Sequence, residues 1–331
     1  MRPRDILVAT HGHCFDGMAS AAVFTHLVSS LGQRLDAEVE LAFRYKSCGY
    51  GPGMQQVPEG WLDGDENAIL DFRYTPSPKV TWYFDHHVTA FASAAERDAA
   101  IAAPPAGEDA RRVFFDPTYG SCAKLIADVA RARFAIELGQ LEPLVRWADL
   151  IDAARFASAA EATNEDEPVL KLASVVEHHG DGPFLNAIVP TLLKEDVMEV
   201  ARSEHVQSLF QPIAAARAVF RDHVERKGRV LGPVVLLDLS DTPLDVTAKF
   251  VTYALYPTCA YSITVTRGRQ HYKVSVGYNP WCGAARTHDI AAICRRYNGG
   301  GHPAVGACSF PLSERDRALA AARAVAEELQ R

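Results

Sequence analysis

Residues 80–89 read VTWYFDHHVT: four large or β-branched apolar side chains, then Asp85, His86 and His87. Such a run predicts a buried strand. A carboxylate and two imidazoles at its end stand where a ligand can reach them. Two neighbouring stretches end the same way. DILVATHGHCFDG (5–17) carries His11, His13, Cys14 and Asp16 directly after its apolar run, and NAILDF (67–72) ends its run on Asp71. Oxygen and imidazole donors in this mixture suit divalent cations from hard to borderline. Parallel α/β sheets hold their ligands outside the carboxyl ends of their strands. Three donor-bearing strand ends within the first 90 residues therefore predict one metal-centred site. A lone His-His pair carries no such weight: His178-His179 lacks strand context and reads as a helix end or loop.

Strands alternate with helices around these motifs. Strands are expected near 5–10, 41–46, 67–71 and 80–84, with a helix over 17–30 and another from about 121 to 138. A further helix carries Trp147, Asp149 and Asp152. That alternation predicts a doubly wound, mainly parallel sheet. From 155 to 228 the pattern is helical, and Pro168, Pro183, Pro190 and Pro212 are read as breaks. After Gly228 the pattern turns β-rich. VVLLDLSD (234–241) precedes AYSITVTRGRQHYKVSVGYN (260–279), in which Arg267-Gly268 marks a hairpin. A helix over 287–298, a glycine loop, a strand near 306–311 and a last helix complete a smaller α/β domain. The expected organisation is a metal-binding domain over 1–160, a helical linker over 161–228 and a substrate-binding domain over 229–331.

The whole chain narrows the classes. Its 331 residues are 48% hydrophobic and 23% charged, enough for two cores and ordinary for a globular protein. No run of about 18 apolar residues occurs and no signal-peptide pattern opens the chain, so no membrane partner and a cytoplasmic location are expected. Seven cysteines without CxxC spacing argue against a disulfide framework or a zinc ribbon. A net charge of −7 is the wrong sign for tracking a long duplex. Basic residues gather locally at Arg267, Arg269 and Lys273, and again at Arg286, Arg295 and Arg296. This favours a short phosphorylated ligand over long nucleic acid.

One more stretch matters: RTHDIAAICRRYNGGGHPAVGACSF (286–310), where Gly299, Gly300, Gly301 and His302 follow a predicted helix. With Asp85-His86-His87 upstream, the chain resembles the DHH phosphoesterases carrying a DHH-associated C-terminal domain. The resemblance is firm over 8–22, 68–90 and 286–310. It implies a phosphoesterase domain and a substrate-binding domain, with two divalent cations, Mn²⁺ first and Mg²⁺ or another divalent ion next. It implies metal ligation by His11, Asp16, Asp71 and His86, with Asp71 bridging two ions, and places Asp85 and His87 as orienting groups, His87 near the chemistry. For the fourth motif it points to Asp149, with Asp152 as competitor. It also assigns substrate binding to Gly299, Gly300, Gly301 and His302, with Arg286 nearby.

Three consecutive glycines let backbone N–H groups approach a phosphate, and His302 beside them can bond a phosphate oxygen or protonate a leaving group. The chain departs from the family where Cys14 stands two residues before Asp16, at the position of a usual aspartate. Cys14 is either a thiolate ligand, which favours a softer metal, or a neutral buried thiol, with His13 as substitute donor. The resemblance implies hydrolysis of short nucleotide substrates: oligoribonucleotide ends, phosphonucleotides, or linear and cyclic dinucleotides. The alternatives are a polyphosphate-directed phosphatase and a nucleotide-binding regulator with a degenerate metal site.

Overall fold

The computed structural model describes residues 2–36, 38–49, 56–102, 112–244, 248 and 250–331. In chain order the elements are β1 (Arg4–His11), α1 (Phe15–Leu35), β2 (Leu41–Cys48), β3 (Glu66–Leu70), β4 (Trp82–Asp85), α2 (Ala94–Ala102), β5 (Arg112–Phe115), α3 (Cys122–Phe134) and α4 (Glu142–Asp152). A helical stretch follows: α5 (Ala159–Ala162), α6 (Pro168–His179), α7 (Gly182–Leu192), α8 (Val197–Arg202) and α9 (Glu204–Lys227). The rest comprises β6 (Arg229–Leu231), β7 (Val234–Pro243), α10 (Val251–Leu255), β8 (Tyr261–Arg267), β9 (His271–Tyr278), α11 (Ile290–Arg295), β10 (Gly300–His302), β11 (Val305–Pro311) and α12 (Arg315–Leu329).

These elements form two compact units. The first joins Met1–Arg155 with Asp166–Phe210, and the second joins Phe156–Glu165 with Gln211–Arg331. The stretch expected as a linker is helical, but it is divided between the units. Asn186 shows why the first part belongs with the sheet: its amide oxygen accepts from Tyr45 N and its amide nitrogen donates to Tyr45 O, at 3.1 and 2.8 Å. Nor do the prolines all act as breaks. Pro168 and Pro183 start helices, where a missing N–H costs nothing, whereas Pro190 and Pro212 lie inside α7 and α9.

The first unit is built on a five-stranded sheet of order β2-β1-β3-β4-β5 with every pairing parallel. β1 runs first and the chain then leaves to opposite sides of it, so the switch point lies between β1 and β3. β4 shows how its sequence dictates its place. Trp82, Tyr83, Phe84 and Asp85 are all buried, as a strand covered on both faces requires. Trp82 and Phe84 stack on one face, with Phe24 of α1 edge-on to both. Tyr83 and Asp85 fall on the other, two residues apart as strand periodicity demands. α1 packs closely because small residues line it. A Cβ on Gly17 would sit 1.9 Å from the carbonyl oxygen of His11.

The second unit is built on a six-stranded sheet of order β10-β11-β9-β8-β7-β6, antiparallel except for β7 with β8. Its core combines Ile263, Val265, Val274 and Val276 with the alanine-rich face of α12 and with Ile290 and Cys294 of α11. The predicted glycine loop is here a short edge strand, β10, paired with β11. The predicted helix over 287–298 is confined to Ile290–Arg295, because Asp289 caps it and Asn298 takes a left-handed φ of 57° just beyond it.

Candidate metal centre

Parallel strands deliver their carboxyl ends to one edge of the sheet, and there the donors converge. His11 closes β1, Asp71 follows β3, and Asp85, His86 and His87 close β4. Asp71 takes a left-handed backbone, φ 55°, which a short polar residue tolerates better than a branched one. Its carboxylate is 1% exposed, and neither oxygen has a donor within hydrogen-bond distance among the described residues. Around it stand three imidazole nitrogens: His11 Nδ1 and His86 Nε2, each at 3.5 Å, and His87 Nδ1 at 3.6 Å. His86 Nε2 also lies 3.7 Å from Asp16 and 3.4 Å from Asp152, and it too has no hydrogen-bond partner.

These separations exceed an ordinary hydrogen bond. They approach the roughly 3 Å between neighbouring donors that share one octahedral ion at about 2.1 Å. Three donor groups emerge among the described residues: His11, Cys14 and Asp71; Asp71, His86 and His87; and Asp16, His86 and Asp152. Asp71 belongs to the first two and His86 to the last two, so the groups form one connected cluster. Bare buried carboxylate oxygens are costly unless something positive meets them, and a divalent cation fits this donor set.

The surrounding shell fixes each donor. His86 Nδ1 lies 3.1 Å from the carbonyl of Tyr119, which commits that nitrogen to donate and leaves Nε2 facing the carboxylates. Asp85 accepts from the backbone N–H groups of His86 and His87 at 2.7 and 3.0 Å, from His87 Nδ1 at 2.8 Å and from the Tyr83 hydroxyl at 2.9 Å. It therefore orients both histidines. Asp16 sits across the N-terminus of α3 and accepts from Cys122 N and Ala123 N at 2.6 and 2.9 Å. The positive end of that helix holds the carboxylate in place.

Protonation reflects the crowding of negative charge. Burial raises the Asp16 carboxyl, and Asp71 and Asp152 beside it raise it further. Partial desolvation likewise raises Asp152, whose side chain is 28% exposed, with Asp71 adding to it. Burial also works against the charged form of Asp71, but contacts with His11 and His86 outweigh it and hold the group at about 2. For His86, burial disfavours charge while Asp71, Asp16 and Asp152 favour it, and its pKa rises to about 10.

The expected residues are not all in place. Asp149 is not among these donors. It turns to Arg155, pairing at 2.6 Å, while Asp152 one helical turn later faces His86. Of the two α4 candidates, Asp152 and not Asp149 falls within a donor group among the described residues. His13 is also outside the cluster: it is exposed, with φ 54°, and its Nδ1 lies 3.2 Å from the Glu177 carbonyl. Cys14 does reach the cluster. The second unit holds Gly299, Gly300 and Gly301 at the sheet edge, and the side chain of His302 lies outside the described residues. Arg286 Nη1 donates to the carbonyls of His288 and Pro303, tying that turn to the segment before β11. The amides of Cys122 and Ala123 and the Tyr83 hydroxyl were not read from the sequence. Only the β4 alternation carried a signal, for Tyr83.

No protein-family model matches the chain, and no curated protein sequence does. Solved structures do. A pGpG-specific phosphodiesterase from Vibrio cholerae aligns over 98% of both chains with a TM-score of 0.67 at 17% identity. The DHH domain of a member of the s1p family of ribosomal proteins aligns over 99% of this chain and 88% of its own, TM-score 0.61, 14% identity. RecJ from Thermus thermophilus, solved with Mn²⁺, aligns over 98% of this chain but only 52% of its own, TM-score 0.55, 14% identity. The chain has the fold of the DHH proteins.

Proposed function

We propose that this chain is a DHH-family phosphoesterase that hydrolyses short nucleotides with the help of divalent cations, linear dinucleotides foremost. One observation carries the reading: the buried Asp71 carboxylate, without a donor on either oxygen, ringed by three imidazoles beside Asp16 and Asp152. His11 and His86 stand 3.5 Å and His87 3.6 Å from those oxygens, longer than an ordinary hydrogen bond, a spacing that suits donors sharing a cation.

In this reading Asp16, Asp71, Asp152, His11 and His86 hold the metal, with Mn²⁺ the first candidate and Mg²⁺ the second. A bound divalent cation supplies Lewis-acid neutralisation of phosphoryl oxygens and a nucleophile at neutral pH. The chain's own groups do the rest. Asp85 fixes His87 through Nδ1, leaving Nε2 to exchange a proton with the substrate's leaving oxygen. Tyr119 holds His86 in the tautomer that presents Nε2. In the second unit, the edge strand Gly300–His302 leaves one row of backbone groups without a strand partner among the described residues. We assign that row to phosphate binding.

Two features support a short substrate. The chain carries a net charge of −7, and its 98% mutual coverage with the pGpG-specific phosphodiesterase contrasts with its match to half of RecJ. The test is Mn²⁺-dependent hydrolysis across pGpG, other dinucleotides, pAp, cyclic dinucleotides, single-stranded oligonucleotides and polyphosphate. Preference for linear dinucleotides is expected. Exclusive action on polyphosphate, or binding of nucleotides without turnover at full metal occupancy, would replace the proposal with one of its alternatives.

A further inference from the structure

Cys14 divides the metal centre chemically. Its thiol shares one group with His11 and Asp71, the ligand atoms lying within 4.8 Å of one another, while the other groups contain only carboxylates and imidazoles. Neighbouring sulfur and nitrogen donors on a tetrahedral zinc are about 3.6 Å apart, given bonds of about 2.3 and 2.1 Å. Small side-chain rotations would close the difference. The second observation is independent of the cysteine: Asp71, 1% exposed, directs two oxygens without donors into the same space. Cys14 is also the N-cap residue of α1, which places its side chain at the end of β1 beside the cluster.

We propose that the centre is asymmetric, with a position formed by Cys14, His11 and Asp71 that selects a borderline ion such as Zn²⁺, Fe²⁺ or Co²⁺. The neighbouring position, formed by Asp16, His86 and Asp152, takes a harder ion such as Mn²⁺. Sulfur donors favour the softer metals, and carboxylates favour the harder ones. On binding, the thiol proton leaves to solvent as the sulfur–metal bond forms. This rests on the reading of the cluster as a metal centre, and not on the reaction or substrate assigned to it.

The test is spectroscopic. Chelator-stripped protein is loaded with Co²⁺, and its near-ultraviolet sulfur-to-cobalt charge-transfer absorption is recorded for wild type, Cys14→Ser and Cys14→Asp. Serine and aspartate are both preferred N-cap residues, so α1 should survive either change, as far-ultraviolet circular dichroism will check. Wild type should show the band and both variants should lose it. In dialysis against equal Zn²⁺ and Mn²⁺, Cys14→Asp should shift the retained Zn:Mn ratio toward Mn²⁺ by about tenfold or more. Wild-type protein that binds Co²⁺ without a charge-transfer band overturns the proposal, whatever the variants do. A band that persists at full strength in Cys14→Ser also overturns it. An inactive protein with the band would sink the phosphoesterase reading and keep this one; an active enzyme without the band would do the reverse.

Discussion

At the scale of single residues, His86 makes the strongest statement about pH. Its pKa is raised to about 10 by the carboxylates around it, against an ordinary value of 6.5. In the metal-free protein its charge therefore stabilises the fold fully below pH 6.5, and that contribution is lost as pH rises through 10. Metal uptake at neutral pH must displace this proton, so Mn²⁺ affinity should climb with pH. Calorimetry in two buffers of different ionisation enthalpy should give different binding heats at about pH 7. Identical heats would mean that no proton leaves. The two aspartates of α4 supply a second test. Asp152→Asn should lower bound metal sharply. Asp149→Asn should keep the metal and cost only the partly exposed pair with Arg155, about 1 kcal/mol in a thermal melt. Equal metal loss in both would contradict the placement of Asp152.

Individual elements locate these residues, and their legibility in the sequence varies. β4 is plain because apolar residues run up to Asp85-His86-His87 without interruption. β1 and β3 are plain for the same reason. β5, four residues long and half-buried, lies unannounced before Asp116-Pro117. Asp149 and Asp152 are three residues apart on one helix, so spacing alone does not choose between them. Arg155, just beyond that helix, pairs with Asp149 at 2.6 Å, a contact that spacing does not announce. The glycine run reads as a loop because glycine is poor in strands, but the pairing with β11 prevails. Its three positions now separate. A Cβ would meet Ala307 O at 2.2 Å from Gly299 and Val305 O at 2.2 Å from Gly301, while at Gly300 nothing lies within 4 Å. Gly301→Val should therefore lower the melting temperature, the more so because Gly301 has a φ of +143°. Gly300→Val should leave melting unchanged and raise KM by obstructing phosphate approach. An unaltered KM for Gly300→Val would return β10 to a purely structural role.

Across the whole molecule, the chain forms two units, each built on its own sheet, with boundaries that differ from those expected. Residues 166–210 belong with the first sheet and 211–227 with the second unit, because side chains such as Asn186 bind to strand backbone rather than to solvent. No described helix is long and apolar enough to cross a membrane. The chain's acidity predicts a shallow salt dependence for substrate binding, since few phosphates are neutralised. KM for pGpG should change little between about 50 and 200 mM salt, the range over which a protein with many phosphate contacts weakens by about 10³ or more. A steep slope would point to longer nucleic acid.

All of these rest on Asp71 acting as the carboxylate on which the cation chemistry depends. The most direct measurement is Mn²⁺-dependent hydrolysis of pGpG by wild type and by Asp71→Asn, both verified as folded by circular dichroism. An amide keeps the shape but cannot neutralise a cation, so the variant should lose about 10³-fold or more in turnover, comparable to removing a principal electrostatic contributor. It should also bind less Mn²⁺. Wild-type turnover in a folded Asp71→Asn protein would contradict the metal centre itself.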